Sequence, residues 1–253
     1  MKPIVVALAL LALAVGAQSA RAEELTAFRV NYVVRAGGVE VGEANYAFTF
    51  GEGAYRGAAS RRSTGLARAL VGNRQDFTYS ASGAITDDGQ VRPHQYQHQD
   101  ARGHRVVQVT FAGYDVTTLA RPNMNMGDPP ATAAQRAGAM DQVSIFAQLL
   151  VSAGDPCRQA VKVFMDGRSL FDLALTPNGQ QSISSPAFRG RALRCDVQFL
   201  PVAGFTEPQT PRRLSFLFAP VQGYFVPLSI EMPTQDVGVV RLDARTFTLI
   251  GRR

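Results

Sequence analysis

Alternation between apolar and polar residues runs through most of this chain and constrains its fold more than any other feature. From residue 28 to residue 34 every second side chain is large and apolar, whereas Arg29 and Asn31 between them are polar. This period of two is typical of an antiparallel strand with one face buried. A dozen or so segments of this kind follow, separated by turn signals such as Asp87-Asp88-Gly89 and Ala112-Gly113. The pattern predicts a mainly β protein.

The second predicted strand changes its inward-facing positions partway along. Val39 and Val41 are odd-numbered, but the apolar residues that follow Gly42 are even-numbered: Ala44, Tyr46, Phe48 and Phe50. A β-bulge at Gly42 explains this shift by one residue, and bulges bend sheets. We therefore expect a single, strongly curved antiparallel sheet, either an open barrel or a β-spiral.

One principal helix is expected, from about Asp141 to Ala153, with Asp141 as its N-cap and Gly154 after its end. Its apolar stripe consists of Val143, Phe146 and Leu150. We expect this stripe to pack against the concave side of the sheet, where it would meet Tyr46, Phe48 and Phe50.

The first twenty-two residues have the layout of a secretory signal peptide: Lys2, an apolar run from Ile4 to Val15, and Ala20-Arg21-Ala22 at the end. We expect cleavage after Ala22, a single β-domain over residues 23–253, and a periplasmic location. The remaining sequence contains no apolar run long enough for a membrane-spanning helix, so an integral membrane protein is not expected.

The basic charge is carried by 24 Arg and 2 Lys, and loss of Lys2 and Arg21 lowers the net charge from +6 to +4. These residues are dispersed along the chain, which favours a solvated surface over a nucleic-acid interface. The two cysteines, Cys157 and Cys195, are expected to form a disulfide in an oxidising compartment.

Sequence signatures of catalysis are absent: the chain has no GxSxG, SxxK, HExxH or phosphate-binding glycine loop. The three histidines, His94, His98 and His104, fall within eleven residues. On a regular strand His94 and His98 share a face, which makes a two-histidine metal site geometrically possible but without a clear third ligand. We expect no enzyme, no cofactor and no metal, and the histidines receive no assigned role.

Two further segments suggest binding, although both also suit packing over the end of a barrel. The first, Ser63 to Asn73, contains Leu66 and Leu70 between glycines and basic residues. The second is a proline-rich loop with Met124 and Met126, whose adaptable side chains suit a hydrophobic groove. The expected ligand-binding residues are Tyr46, Phe48, Phe50, Leu66, Leu70, Val143, Phe146 and Leu150.

Several segments together resemble a domain-of-unknown-function family of exported proteobacterial envelope proteins. They are VEVGEANYAF (39–48), STGLARAL (63–70), GAITDDGQVRPHQY (83–96), MDQVSIFAQLL (140–150), FMDGRSLFDLAL (164–175) and PLSIEM (227–232). That family is similar in architecture to periplasmic lipoprotein carriers and to β-spiral envelope-integrity proteins. The resemblance implies a role in the cell envelope, and it assigns no catalytic residue.

Three hypotheses follow for the function. The first is a non-enzymatic periplasmic protein that binds a lipid or a lipoprotein acyl chain inside the sheet. The second is a module that docks another periplasmic protein and has a filled core. The third is an enzyme whose site has no sequence signature. A large apolar cavity would favour the first hypothesis, a filled core the second, and a cleft with histidine and carboxylates the third.

Overall fold

The computed structural model describes residues 24–71, 76–152, 154–234 and 238–252. The signal peptide predicted over residues 1–22 lies outside the described residues. The strands are β1 (Glu24–Ala36), β2 (Val39–Gly51), β3 (Ala54–Ser63), β4 (Phe77–Ile85), β5 (Val91–Asp100), β6 (Val106–Ala112), β7 (Asp115–Arg121), β8 (Ala160–Met165), β9 (Ser169–Ser184), β10 (Arg189–Ala203), β11 (Arg212–Val221), β12 (Tyr224–Pro233) and β13 (Val239–Arg252). The helices are α1 (Gly65–Val71), α2 (Ala133–Arg136) and α3 (Gln142–Val151).

All thirteen strands belong to one antiparallel sheet, which confirms the predicted fold class. Their order is β7-β6-β5-β4-β3-β2-β1-β13-β12-β11-β10-β9-β8. Two meanders, β1 to β7 and β8 to β13, are thus joined where β1 pairs with β13. The first and last strands of the chain therefore lie at the centre of the sheet, and β7 and β8 lie at its edges.

The prediction of a strongly curved sheet was wrong, because the sheet is neither closed nor strongly curled. Closure would require hydrogen bonds between β7 and β8. Instead, the free edge of β8 bonds to Met140, whose N–H donates to the Lys162 carbonyl at 2.9 Å and whose carbonyl accepts from Phe164 N at 2.8 Å. Met140, two residues before α3, thus forms a bridge beside β8 at the edge of the sheet.

The predicted bulge in β2 is confirmed. Between β1 and β2 the pairing shifts from Val34–Gly42 to Arg35–Glu40, which leaves Val41 as the extra residue. A Cβ atom at Gly42 would lie 2.6 Å from the carbonyl oxygen of Arg62 on β3. Glycine is therefore required here by the close approach of the neighbouring backbone.

The segment Pro177-Asn178-Gly179 has a sequence typical of a turn, but it forms an irregularity inside β9. The pairing with β10 shifts from Cys195–Pro177 to Leu193–Gln180, so two residues of β9 lack a partner at this point. Gly179 has φ +76°, a conformation that accommodates the irregularity without ending the strand. The strand then continues as far as Ser184.

Helix α3 lies against one face of the sheet and contacts β3, β4, β5, β8 and β12. It begins after the predicted N-cap, Asp141, and all its side chains from Val143 to Leu150 are buried. Val143, Phe146, Ala147 and Leu150 belong to a first core cluster that includes side chains of β1 to β6. Ile145 and Leu149 belong to a second cluster, which includes side chains of β8 to β11.

The two buried polar side chains of α3 have hydrogen-bond partners. The Ser144 hydroxyl lies 2.5 Å from the hydroxyl of Tyr55, and the Gln148 Oε1 accepts from Val91 N at 2.7 Å. These bonds fix the helix against β3 and β5. Among the helices in the described ranges, none has the length and apolar character needed to cross a bilayer.

Candidate functional site

The residues predicted to face each other across the sheet and α3 do meet. The rings of Tyr46 and Phe146 are stacked, with centroids 4.0 Å apart and planes inclined by 18°. Val143 and Leu150 are no more than 1% exposed. Phe48 stacks on Phe50 with centroids 6.0 Å apart. The two remaining predicted ligand residues, Leu66 and Leu70, lie on α1, but their side chains are outside the described part of the structure.

The space between α3 and the sheet is filled by these side chains. The depressions that we find among the described residues are lined by other residues, and one of about 470 Å³ lies between polar side chains of β3 to β6. Whether Tyr46, Phe48, Phe50, Val143, Phe146 and Leu150 bind a ligand stays a prediction, although their arrangement is that of a packed core.

The three histidines do not converge. Between β4 and β5 the pairing shifts from Ser82–Gln95 to Gly83–Pro93, which leaves His94 as a bulged residue. As a result His94 is exposed, whereas His98 is buried, and His104 lies exposed outside the strand. The expectation that His94 and His98 share a face was therefore wrong. No group of three or more potential metal ligands occurs in the part of the chain that the structure describes.

A cluster of polar side chains surrounds His98 instead. The Gln142 amide nitrogen donates to the Tyr96 hydroxyl at 2.5 Å and to the Asp166 Oδ1 at 2.6 Å. The His98 Nδ1 lies 3.1 Å from the Tyr96 hydroxyl and 3.6 Å from the same Asp166 oxygen. The His98 side chain is 4% exposed and that of Asp166 is 47% exposed, so the cluster extends from the core to the surface.

Three separate elements position this cluster. Tyr96 and His98 lie on strand β5. Gln142 is the first residue of α3, and Asp166 lies in the turn between β8 and β9. The turn docks on β7, because the Thr118 hydroxyl donates to the Gly167 carbonyl at 2.9 Å. A Cβ atom at Gly167 would lie 2.9 Å from side-chain atoms of β6 and β7. The turn between β8 and β9 therefore packs on β6 and β7 without pairing with them.

Next to the cluster is a surface cleft of about 100 Å³. Its lining combines cationic, aromatic and carboxylate side chains: Arg61, Phe77, Tyr79, His98, Arg105, Met124, Asp166 and Arg168. The Arg61 guanidinium lies over the Phe77 ring at 5.1 Å from the centroid, and the Phe77 and His98 rings lie 6.0 Å apart. We call this site the His98 cleft.

The electrostatics of the cleft keep its buried groups neutral near pH 7. Burial lowers the pKa of His98; the Asp166 carboxylate opposes this shift, and the positive charges of Arg105 and Arg61 add to it. Burial also raises the pKa of Tyr79 to about 12, and the pKa of Tyr96 is raised as well. The cleft thus presents the Tyr79 hydroxyl and the His98 imidazole beside three permanently charged guanidinium groups, and Tyr96 lies buried behind His98.

This arrangement can hold an anionic group by charge-assisted hydrogen bonds. Sequence reasoning missed it, because Arg61, Arg105 and Arg168 are far apart in the chain and Asp166 had the appearance of an ordinary turn residue. Met124, which was expected to cover a hydrophobic groove, lines this charged cleft instead. The only sequence signals were the buried aromatic pattern of β5 and the methionine in the proline-rich loop.

The predicted disulfide between Cys157 and Cys195 is present, with Cα atoms 5.2 Å apart. Both cysteines are buried among the side chains of the second core cluster. The bond connects the segment after α3 to β10. It belongs to the second core cluster, whereas Phe146 belongs to the first, and neither cysteine lines the His98 cleft.

No protein-family model matches this chain, and no curated protein matches it. The likeness to exported envelope proteins of proteobacteria therefore rests on the sequence segments that suggested it. It stays a prediction.

Proposed function

We propose that this chain is a non-enzymatic protein of the periplasmic cell envelope that docks another envelope component on its surface and does not enclose a lipid. The observation that carries the proposal is the packing of α3, in which Phe146 stacks on Tyr46 at 4.0 Å and all side chains from Val143 to Leu150 are buried. A carrier of an acyl chain needs an apolar cavity of about 300 Å³ or more. The filled space beneath α3 favours the docking hypothesis.

The polar character of the surface depressions supports the same proposal. The depression of about 470 Å³ is lined by serine, glutamine and threonine side chains on the face of β4, β5 and β6 that points away from α3. The Gln108 amide nitrogen donates to the Gln97 Oε1 at 3.0 Å across this face. Side chains of this kind hydrogen-bond a polar partner and offer little to an acyl chain.

The periplasmic location comes from the sequence of residues 1–22. The non-enzymatic assignment follows from the same sequence, which lacks a catalytic motif. The His98 cleft combines a neutral imidazole with a half-exposed carboxylate, and the described residues that line it include no serine, threonine or cysteine as a nucleophile. A binding role suits this composition better than catalysis.

A fluorescent fatty-acid probe tests the proposal. We expect the folded wild-type protein, freed of copurified lipid, to leave the fluorescence of a micromolar probe unchanged, because α3 already occupies the apolar space. Mass spectrometry of the natively purified protein should correspondingly detect no stoichiometric phospholipid.

If the fluorescence of the probe does change, two matched variants show where the probe binds. Leu119→Ser removes an apolar side chain that is 53% exposed on β7, whereas Phe146→Ala removes a ring beneath α3. Weak binding that Leu119→Ser abolishes is adsorption to the surface and leaves the proposal standing. Saturable binding of one probe per chain that survives Leu119→Ser and is displaced by phospholipid would overturn the proposal in favour of a lipid carrier.

A further inference from the structure

We propose that the His98 cleft is a binding site for a phosphate-type oxyanion, held by the side chains of Arg105 and Arg168 beside His98. The proposal concerns one cleft on the surface and does not depend on whether the space beneath α3 is filled. It goes beyond the docking role because it names the chemical group that this surface recognises.

The first argument is the charge balance of the cleft. The guanidinium groups of Arg61, Arg105 and Arg168 line it, and Asp166 supplies the one carboxylate among the described residues of the lining. That carboxylate is already bonded through Oδ1 to the Gln142 amide at 2.6 Å. An anion of one or two negative charges would balance the excess positive charge.

Arginines elsewhere on the sheet show the usual alternative. Arg35 and Arg241 form ion pairs with Asp243 at 2.9 Å and 2.8 Å. In contrast, neither Arg105 nor Arg168 forms an ion pair with a carboxylate anywhere in the described ranges of the chain. The positive charges of Arg105 and Arg168 are therefore not used in ion pairs within the described ranges.

The second argument is the poor hydrogen bonding of these two side chains. The Arg105 Nη2 donates to the sulfur of Met124 at 3.9 Å, a weak acceptor, and the Arg168 Nη1 donates to the Asn125 carbonyl at 3.4 Å. The Arg168 Nε is buried and has no acceptor among the described residues. A buried N–H group without an acceptor costs free energy, which the oxygen of a bound anion would recover.

The third argument is size. The cleft of about 100 Å³ is equivalent to roughly three water volumes. That space suits a five-atom tetrahedral oxyanion and excludes an acyl chain or a sugar ring. A metal cation is disfavoured, because His98 and Asp166 are the only histidine and carboxylate side chains that line the cleft among the described residues, and three guanidinium groups would repel it.

The protonation of His98 should be linked to binding. The groups that face it are the Asp166 carboxylate, the Arg61, Arg105 and Arg168 guanidinium groups, and the hydroxyls of Tyr79 and Tyr96. Burial and the arginines lower the pKa of the imidazole in the free protein. An anion in the cleft would favour the charged imidazole and raise that pKa, so binding should strengthen as the pH falls.

The experiment follows the imidazole resonances of His98 by NMR during titration with inorganic phosphate. We expect saturable shifts at His98 and weaker effects at the exposed His94 and His104. A parallel titration with sulfate, which does not change its own charge between pH 5 and 8, should bind more tightly at pH 5.5 than at pH 7.5. An affinity for sulfate that does not vary with pH would contradict the role of His98.

Calorimetry of matched variants tests the arginines. Arg105→Gln and Arg168→Gln should each weaken phosphate binding by about tenfold, the loss typical of one charge-assisted hydrogen bond. Arg29→Gln removes the same charge from an exposed position on β1 outside the cleft and should leave the affinity within about twofold. Equal weakening by all three substitutions would show that only net charge matters and would overturn the site.

Two ligand sources share this chemistry, and separate measurements distinguish them. Binding of methyl phosphate that depends on Arg105 would indicate a soluble phosphate ester. Retention on vesicles of phosphatidic acid, but not of phosphatidylcholine, that depends on Arg105 would indicate a lipid headgroup. Failure of both, together with no shift at His98 in millimolar phosphate, would overturn the proposal and would leave the fatty-acid-probe result unaffected.

Discussion

Reduction of the Cys157–Cys195 disulfide should lower the melting temperature of the protein by about 8 to 16 °C. The bond joins residues that are 38 positions apart, and closing a loop of this length restricts the unfolded chain by about 4 kcal/mol in the chain-entropy model. For a domain of this size each kcal/mol corresponds to roughly 2 to 4 °C in melting temperature. Both sulfur-bearing residues are buried, so no solvation of the thiols offsets the loss.

Thermal unfolding with and without a reductant measures this effect. The double variant Cys157→Ala/Cys195→Ala should melt near the temperature of the reduced wild type, and the reductant should no longer change it. Alanine is the better replacement here, because a serine hydroxyl in the second core cluster would add a desolvation cost of its own. A shift of less than about 2 °C on reduction would contradict the prediction.

The elements that the sequence predicted well are those set by local patterns. The period of two located most strands, and the change of parity at Gly42 located the bulge, because a one-residue slip reverses which side chains face the core. The start of the helix was predicted equally well from a local pattern. Asp141 accepts from the N–H groups of Val143 and Ser144 at 2.9 Å, as expected of an N-cap residue.

The features that the sequence did not predict depend on contacts between distant segments. The curvature was misjudged because the hydrogen bonds of Met140 to the edge of β8 are invisible in a strand pattern. The same reason applies to the His98 cleft, where Arg61 and Arg168 come from opposite halves of the chain and meet only because the turn after β8 docks on β7. Dispersed arginines in a sequence therefore do not exclude a concentrated positive site.

The internal organisation of α3 connects the fold to both proposals. Its first turn contributes Gln142 to the cluster around His98, whereas its middle contributes Phe146 to the packing that excludes a lipid. One helix thus fixes the cleft and fills the core. The carboxylate of Asp141, which caps this helix, is buried and accepts from the N–H groups of Val143 and Ser144.

Replacing Asp141 with asparagine should raise the free energy of unfolding relative to wild type, and this gain should be about 3 kcal/mol larger at pH 8 than at pH 4. Burial is the main cause, because it raises the pKa of the Asp141 carboxyl from 3.8 to about 6, while its hydrogen bonds with Ser144 and Val143 oppose the shift. The folded chain therefore binds more protons than the unfolded chain between about pH 4 and pH 6.

The sign of the effect follows from this difference. A carboxyl with a raised pKa in the folded state contributes most stability below its ordinary pKa, and that contribution is lost as the pH rises through the range from about 4 to about 6. Asparagine is as good an N-cap as aspartate and carries no charge at any pH. The variant should therefore lack this loss of stability with rising pH.

Urea unfolding of wild type and Asp141→Asn at several pH values between 4 and 8 measures the difference in their free energies of unfolding. Asp87→Asn, in the exposed turn between β4 and β5, controls for the loss of one negative charge and should leave the pH profile of wild type in place. Asp141→Ala distinguishes the effect of the helix cap from the effect of the charge, because it leaves the N–H groups of Val143 and Ser144 without their acceptor. This variant should be less stable than the asparagine variant at every pH, by about 1 to 3 kcal/mol. If the free energies of unfolding of Asp141→Asn and wild type differ by a constant amount across this pH range, the result contradicts the raised pKa. Equal stability of the asparagine and alanine variants would show that the cap contributes nothing to the stability of α3.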